Sequence, residues 1–302
     1  MRRETGQAAV MTLLFLTVLL GMAAAVLDVG SWYRGQRQAQ STADAAALAA
    51  AQDLPQDTRA AQKSAIDYAK KNDGGVLASD VTFASDWGPD DTVRVKVNRV
   101  EPSFFAKLFG IDSVTVHAKA SARSAGPAEA KWAAPIVVRN THPELAGPGC
   151  PCFDVPTTIT LGPTGAPGAF SLLNLDKDKQ NGTIGTSTLA GWIQRGFDQY
   201  LPLGGYYSDP GAKFNSGQIQ DALRLRFGTE LLFPVYDTLT GQGSGATYHI
   251  IGWAAFHLDG IDARGNNGAL AGYFTRVIWD GIQNSKGSSG PDFGVHTIAL
   301  TD

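Results

Sequence analysis

The chain has few cysteines, little charge and no excess of basic residues. Of its 302 residues, two are cysteines and 18% are charged, and the formal net charge is −3. Two cysteines are too few for a scaffold built on disulfides. A chain without a basic excess is not typical of nucleic-acid-binding proteins. We therefore expect a globular protein with room for about two domains and with no nucleic acid among its partners.

The chain also lacks the signatures of common active sites. It contains no Gly-X-Ser-X-Gly nucleophile elbow and no His-Glu-X-X-His zinc motif, and its five histidines are scattered. The glycine-rich stretch GQGSG at 241–245 has neither the lysine nor the flanking helix of a phosphate-binding loop, and it predicts a hairpin turn instead. The sequence therefore predicts no catalytic residue, no cofactor and no enzyme activity.

One long apolar run stands near the start of the chain. Residues 8–27 contain no charged side chain, and as a helix they extend about 30 Å, which is the thickness of a bilayer core. They predict a single transmembrane helix that contacts the lipid bilayer. The residues that follow, Trp32, Tyr33 and Arg34, form a cluster typical of a membrane interface.

The fate of this N-terminus admits three interpretations. A secretory signal would be cleaved after Ala25, but the apolar run continues to Leu27, which favours an uncleaved anchor. A prepilin-type peptidase would instead cut between Gly6 and Gln7 and keep the whole helix. Leaders of that type place glutamate at the fifth mature position, where this chain has Met11. We favour a single-pass anchor whose short N-terminus is cytoplasmic and whose bulk lies outside the cell membrane.

Beyond the apolar run the helical pattern continues, but it becomes polar and rich in alanine. Asp28 marks the junction and is a candidate helix-packing residue. No proline interrupts residues 31–53, so the sequence predicts one rod that passes from membrane into a folded domain. Small residues fall at helical spacing along it: Ala39, Ala43, Ala46 and Ala50. Such a seam permits close approach of another helix or sheet. Its partner is either the chain's own domain or a second subunit of a homo-oligomer.

Three stretches of this region are distinctive: GQAAV at 6–10, DVG at 28–30 and QSTADAAALAAA at 40–51, with Tyr33 between the last two. Together they resemble the N-terminal region of TadE/TadG-like proteins of the Flp (Tad) pilus-assembly system. The resemblance implies a bacterial, pseudopilin-like protein whose helix sits in the cytoplasmic membrane. It also implies that the exported part contacts other pilus-assembly or envelope proteins. The stretches at 211–217, 231–237 and 248–256 are similar to the C-terminal part of longer TadG-like proteins, and that similarity implies no activity.

The pattern after the rod predicts two domains of α+β class. Residues 1–27 form the leader and transmembrane segment. Residues 28–126 are predicted to form a small pilin-like domain in the order helix, helix, strand, strand, short helix, strand, with Pro102 at the start of the short helix and Phe104, Phe105, Leu108 and Phe109 as an apolar cap. Residues 127–302 are predicted to form a second, mostly antiparallel and β-rich α+β domain with two helices.

Two local features of the second domain are candidate binding or redox sites. Cys150 and Cys152 flank one proline, and they form either a local disulfide, two separate cysteines, or part of a metal or redox site. Asp176 and Asp178 lie in an oxygen-rich stretch that is a weak calcium candidate, because its glycine and glutamate positions do not fit an EF-hand. The alternative function is a membrane-tethered or secreted binding module or hydrolase, with its site in the loops of residues 140–300. Convergence of these groups in one cleft would support that alternative.

Overall fold

The computed structural model describes residues 5–72, 75–162, 165–166, 169–176, 183–211, 213–264, 267–283 and 291–301. These residues combine a long N-terminal helix with mostly antiparallel sheets, so the predicted α+β class is confirmed. The chain divides into two compact units. Unit one comprises Met1–Ser124 and Ile298–Asp302, and unit two comprises Ala125–Thr297.

Two helices open unit one. Helix α1 runs without a break over 47 residues, Thr5–Ala51, as the absence of proline predicts. Helix α2, Thr58–Lys71, begins where the Asp57 carboxylate accepts hydrogen bonds from the backbone N–H groups of residues 59 and 60. Asp57 is therefore the N-cap of α2. The buried face of α2 consists of alanines at helical spacing, which lets α1 and α2 pack closely: Ala61, Ala65 and Ala69.

The sheet of unit one is an antiparallel meander that packs on α1. Its strands are β1 (Val81–Ala84), β2 (Thr92–Pro102) and β3 (Ser113–Ala125). Valines at alternate positions of β2 face the helices and charged residues face outward, which is the pattern of a sheet with one buried face. The residues from Ile298 onward return to this unit, where Ile298 packs on the same core and the Thr301 N–H donates to the Ser121 carbonyl.

Unit two is built mainly from strands. They are β4 (Glu129–Ala130), β5 (Val138–Arg139), β6 (Thr157–Leu161), β7 (Ala169–Leu173), β8 (Leu201–Pro202), β9 (Gly204–Pro210), β10 (Thr229–Thr240), β11 (Thr247–Arg264), β12 (Asn267–Thr275), β13 (Val277–Ile278), β14 (Ile282–Gln283) and β15 (Val295–Leu300), whose last residues belong to unit one. The helices are α3 (Pro143–Ala146), α4 (Thr186–Arg195) and α5 (Gly217–Arg224).

The long strands of unit two form its central sheet. Strands β10, β11 and β12 pair antiparallel, with β5 added in parallel beside β10 and β6 added beside β12. Strand β9 pairs with the start of β11 and also with β7. Short pairs join β14 to β4 and β4 to β8. One core cluster of the unit contains contacting aromatic rings, and the Phe256 ring centre lies 5.7 Å from that of Phe233 and 5.2 Å from that of Phe274.

Candidate functional site

Helix α1 has two halves with opposite surroundings. In its first half the apolar side chains from Val10 to Leu27 are largely exposed, because none of the described residues of unit one covers them. In its second half the helix packs against α2 and β2. Among the described residues, α1 is the one helix that is long and apolar enough to cross a membrane. The predicted processing residues, Gly6 and Gln7, lie in its first turn.

The junction between the two halves is fixed by Asp28. Its side chain is only 2% exposed, and its carboxylate accepts hydrogen bonds from three consecutive backbone N–H groups. The distances are 2.7 Å from Phe104 N to Oδ1, 3.0 Å from Phe105 N to Oδ2 and 2.6 Å from Ala106 N to Oδ2. These amides begin the short helical turn of residues 106–109, whose free N–H groups need an acceptor. Asp28 therefore joins α1 to the loop between β2 and β3.

The loop that Asp28 holds carries a group of exposed apolar side chains, which we call the tip cluster. Its members are Phe104, Phe105, Leu108, Phe109 and Ile111. Leu108 and Phe109 are 82% and 86% exposed, and the prediction of an apolar cap over the domain is therefore wrong. The predicted helix start is also wrong. Pro102 is the last residue of β2, and the helical turn begins at Ala106.

The hairpin of β2 and β3 lies along α1 over several turns. Gln36 donates to the His117 carbonyl at 2.7 Å, and one helical turn later Gln40 donates to the Lys119 carbonyl at 3.0 Å. Strand β3 therefore runs in the same direction as α1. Gly35 has no room for a side chain, because a Cβ there would overlap the Glu101 side chain of β2. Close packing thus fixes the hairpin along the helix as far as its tip.

The predicted seam of small residues on α1 lies inside unit one. Ala39, Ala43, Ala46 and Ala50 are at most 1% exposed and belong to the core formed with α2 and the sheet. Their partner is therefore within the same chain. Tyr33 and Arg37 lie on the exposed side of the helix, with the Arg37 Nε 3.1 Å from the Tyr33 hydroxyl and its guanidinium 5.1 Å from the ring centre.

The two cysteines of unit two are joined in a disulfide, with their Cα atoms 4.4 Å apart. The Glu144 carboxylate and the two sulfurs lie within 4.8 Å of one another. Three such groups are a minimal metal-ligand set, but metal binding requires thiolates and both sulfurs are used in the disulfide. The disulfide therefore cross-links the short loop after α3.

The structure describes only part of the calcium candidate. The Asp176 N–H donates to the Asn174 side chain at 3.0 Å, which is a local turn. Asp178 lies outside the described residues. Two shallow grooves are lined by described residues of unit two, and neither Asp176 nor Cys150 lines them.

The two grooves of unit two meet at Arg139 and Tyr236. One has a volume of about 300 Å³ and includes His142 and Ser171, and the other has a volume of about 420 Å³ and includes Asp237. Burial raises the pKa of Tyr236 to about 12, so its hydroxyl stays neutral. The Ser171 hydroxyl donates to the Gly162 carbonyl rather than to a general base. Among the described lining residues, no nucleophile is paired with a base in the manner of a hydrolase.

Two histidines on β11 each pair with a separate carboxylate. His249 Nδ1 lies 2.9 Å from Asp237, and His257 Nδ1 lies 3.0 Å from Glu230. The hydrogen bond from His257 holds the pKa of Glu230 below its ordinary value, against a smaller opposing effect of burial. Each pair links β11 to its neighbour β10. These are cross-strand contacts on a sheet face, and the two histidines do not share a site.

Helix α1 is also the part of the chain whose sequence matches a known protein family. Residues 6–53 match the family model described as putative Flp pilus-assembly TadE/G-like. This match confirms the Tad resemblance over α1 and the two residues that follow it. No curated protein and no solved structure matches the chain. The Tad-like region therefore consists of the apolar half, the Asp28 junction and the alanine seam.

Sequence reasoning singled out Asp28 but did not identify what it binds. Its partners lie 76 to 78 residues away in sequence, and they are backbone amides, which no sequence pattern reveals. The feature of the sequence that could have indicated an acceptor is the turn itself. A short helical turn between two strands, with no Ser, Thr, Asp or Asn directly before it to cap it, needs an acceptor from elsewhere.

Proposed function

We propose that this chain is a non-enzymatic, single-pass membrane protein of a Flp (Tad) pilus-assembly system. The observation that carries the proposal is the division of α1. One uninterrupted helix presents an exposed apolar half long enough for a bilayer, and its other half forms the core of a folded unit. The matched residues 6–53 cover both halves. A helix that was only a removable leader would not need to continue into the core of the domain.

The proposed orientation places the first residues in the cytoplasm and both units outside the cytoplasmic membrane. The disulfide of unit two supports the same orientation, because disulfides persist in oxidising compartments outside the cytoplasm.

The proposed role is structural, and the exported units contact other pilus-assembly or envelope proteins in the manner of TadG-like components. The alternative of a binding module or hydrolase would need reactive groups that converge in one cleft. Cys150 is disulfide-bonded, and neither it nor Asp176 lines the described grooves. The described part of unit two therefore gives no support to the alternative.

The anchor is tested by the mass of the mature N-terminus in fractionated cells. We expect the protein in the membrane fraction, either intact or beginning at Gln7. A soluble protein that begins at Val26 would overturn the anchor. Orientation is tested in spheroplasts with external protease, which should digest both units and leave a protected fragment that contains residues 8–27.

The assembly role is tested by deletion of the gene in its host and complementation. We expect loss of surface pili, restoration by the wild-type chain, and no restoration by a Leu16→Lys, Leu20→Lys variant whose span cannot stay in lipid. A matched Leu16→Ile, Leu20→Ile variant should restore pili. Normal piliation of the deletion strain would contradict the proposed role.

A further inference from the structure

The strongest feature that this function leaves unexplained is the tip cluster. Five apolar side chains project from the loop of ten residues between β2 and β3, 103–112, and the most exposed of them show more than four fifths of their surface. Soluble proteins rarely expose aromatic side chains in such a contiguous group, and where they do the group contacts another molecule. The identity of that molecule follows from where the proposed anchor places the loop.

The level of the tip relative to α1 follows from contacts within unit one. From Gln36, which touches His117, to Asp28 the helix descends eight residues, or about 12 Å. From His117 back to Ser113 the strand descends four residues, or about 13 Å. The beginning of β3 is therefore at the level of Asp28. The hydrogen bonds of Asp28 hold the tip loop at this same level.

The level of Asp28 is also the level at which the apolar half of the helix ends. Residues 8–27 extend about 30 Å and fill the hydrocarbon core when they span it. Asp28 then lies at the boundary between acyl chains and headgroups. Tyr33 and Arg37 follow on the exposed side of the helix within the next turns, at headgroup height.

We infer that the tip cluster inserts into the leaflet from which α1 emerges, so that unit one contacts the bilayer at two places; the inference rests on the proposed anchor. Phenylalanine and leucine side chains enter the boundary between headgroups and acyl chains, about 5–10 Å deep. Exposed Lys107 in the same loop is suited to anionic headgroups. The Asp28 hydrogen bonds keep the loop beside the span, and they use backbone amides only, so every side chain of the cluster remains available to lipid.

The inference is tested with thiol-reactive, environment-sensitive labels on the full chain in vesicles of phosphatidylcholine and phosphatidylglycerol. A single cysteine is introduced by Leu108→Cys in the tip, by Leu16→Cys in the span, or by Asp90→Cys in the turn at the opposite end of β2. Labelling without reductant leaves the native disulfide intact, and the wild-type chain shows any background labelling. Lipids that carry a spin label either near the headgroup or near the chain end then act as quenchers.

We expect headgroup-region quenchers to lower the emission of the label at position 108 at least about twofold, as insertion to interfacial depth requires. Deep quenchers should act on position 16, and neither should act on position 90. Quenching at 16 without quenching at 108 would overturn the inference and leave the anchor intact. Absence of quenching at 16 would overturn both. Quenching at 108 that disappears as the protein-to-lipid ratio rises would show that a second copy covers the cluster, and it would also overturn the inference.

Discussion

The carboxylate of Asp28 lies 2.7 Å from the backbone nitrogen of Phe104, although 76 residues separate the two in sequence. The contact ties the end of the apolar half of α1 to the tip of a β-hairpin. It is made to main-chain N–H groups, so it does not depend on which side chains the loop carries. The loop can therefore hold apolar residues that contribute nothing to the core of unit one.

Loss of the Asp28 carboxylate should loosen the tip loop. In an Asp28→Ala variant the amides of residues 104–106 lose their acceptor, and we expect their hydrogen exchange in nanodiscs to accelerate about tenfold or more, because they become open to water. Asp44→Ala on the same helix is the matched control, because Asp44 accepts a hydrogen bond from Gln40 within α1. Unchanged exchange at residues 104–106 in the Asp28 variant would contradict the assigned contact.

The alanine seam should behave as core and not as an intersubunit surface. Ala43 is fully buried, and an Ala43→Leu variant should lower the free energy of unfolding by about 1–3 kcal/mol through overpacking. Ser41→Leu, at an exposed position of the same helix, should change it little. Thermal unfolding in detergent measures the loss, and light scattering measures subunit number. A change in subunit number without a loss of stability would identify the seam as an interface instead.

The buried pair of Lys213 and Asp209 should be the most sensitive polar contact of unit two. Lys213 Nζ lies 2.5 Å from the fully buried Asp209 and also donates to the Ile184 carbonyl. Lys213→Met leaves that carboxylate buried without its cation and should cost about 3–5 kcal/mol in chemical denaturation. The double variant Asp209→Asn, Lys213→Met should recover part of this loss, because no charge remains unpaired.

The control for this pair is the exposed one between Arg224 and Asp221, whose side chains are 55% and 71% exposed. Arg224→Met should cost no more than about 1 kcal/mol. Equal losses from Lys213→Met and Arg224→Met would show that burial of the first pair has no energetic consequence.

The cross-strand pair of His257 and Glu230 should make the stability of unit two depend on pH in the acidic range. The pKa of Glu230 is lowered in the folded chain, mainly by the hydrogen bond from His257. The stabilisation is therefore present above the ordinary glutamate pKa of about 4.3 and is lost as the pH falls through the lowered value. His257→Gln should raise the pKa of Glu230, as followed by carboxylate NMR. His249→Gln, which removes the partner of Asp237, should leave Glu230 unchanged.

The elements with a regular spacing of apolar residues were predictable, because the local sequence pattern determines them. Strand β2 alternates valine with charged residues, and the valines form its buried face, as period-two alternation predicts. The uninterrupted α1 follows from the lack of proline, and the Asp57 cap follows from its position before α2. On α2, Tyr68 is 43% exposed, and the buried face of that helix consists of alanines.

Other features could not be predicted, because contacts distant in sequence decide them. Strand β9, Gly204–Pro210, has two glycines and a terminal proline that indicate a turn, yet it is held between β7 and β11. The tip cluster has the composition of a core cap, and only the exposure of its side chains in the folded chain shows that it is a surface. The Asp28 carboxylate accepts its hydrogen bonds from residues 104–106, and these contacts form only when the hairpin of β2 and β3 lies along α1.

The return of residues 298–302 to unit one has a consequence for the order in which the chain matures. Unit two is an insertion between two parts of unit one. Residues that pack on the first core, such as Ile298, are synthesised only after all of unit two. Unit one therefore reaches its final fold only after the residues from Ile298 onward have been synthesised, although its helices and β1–β3 come first in the chain.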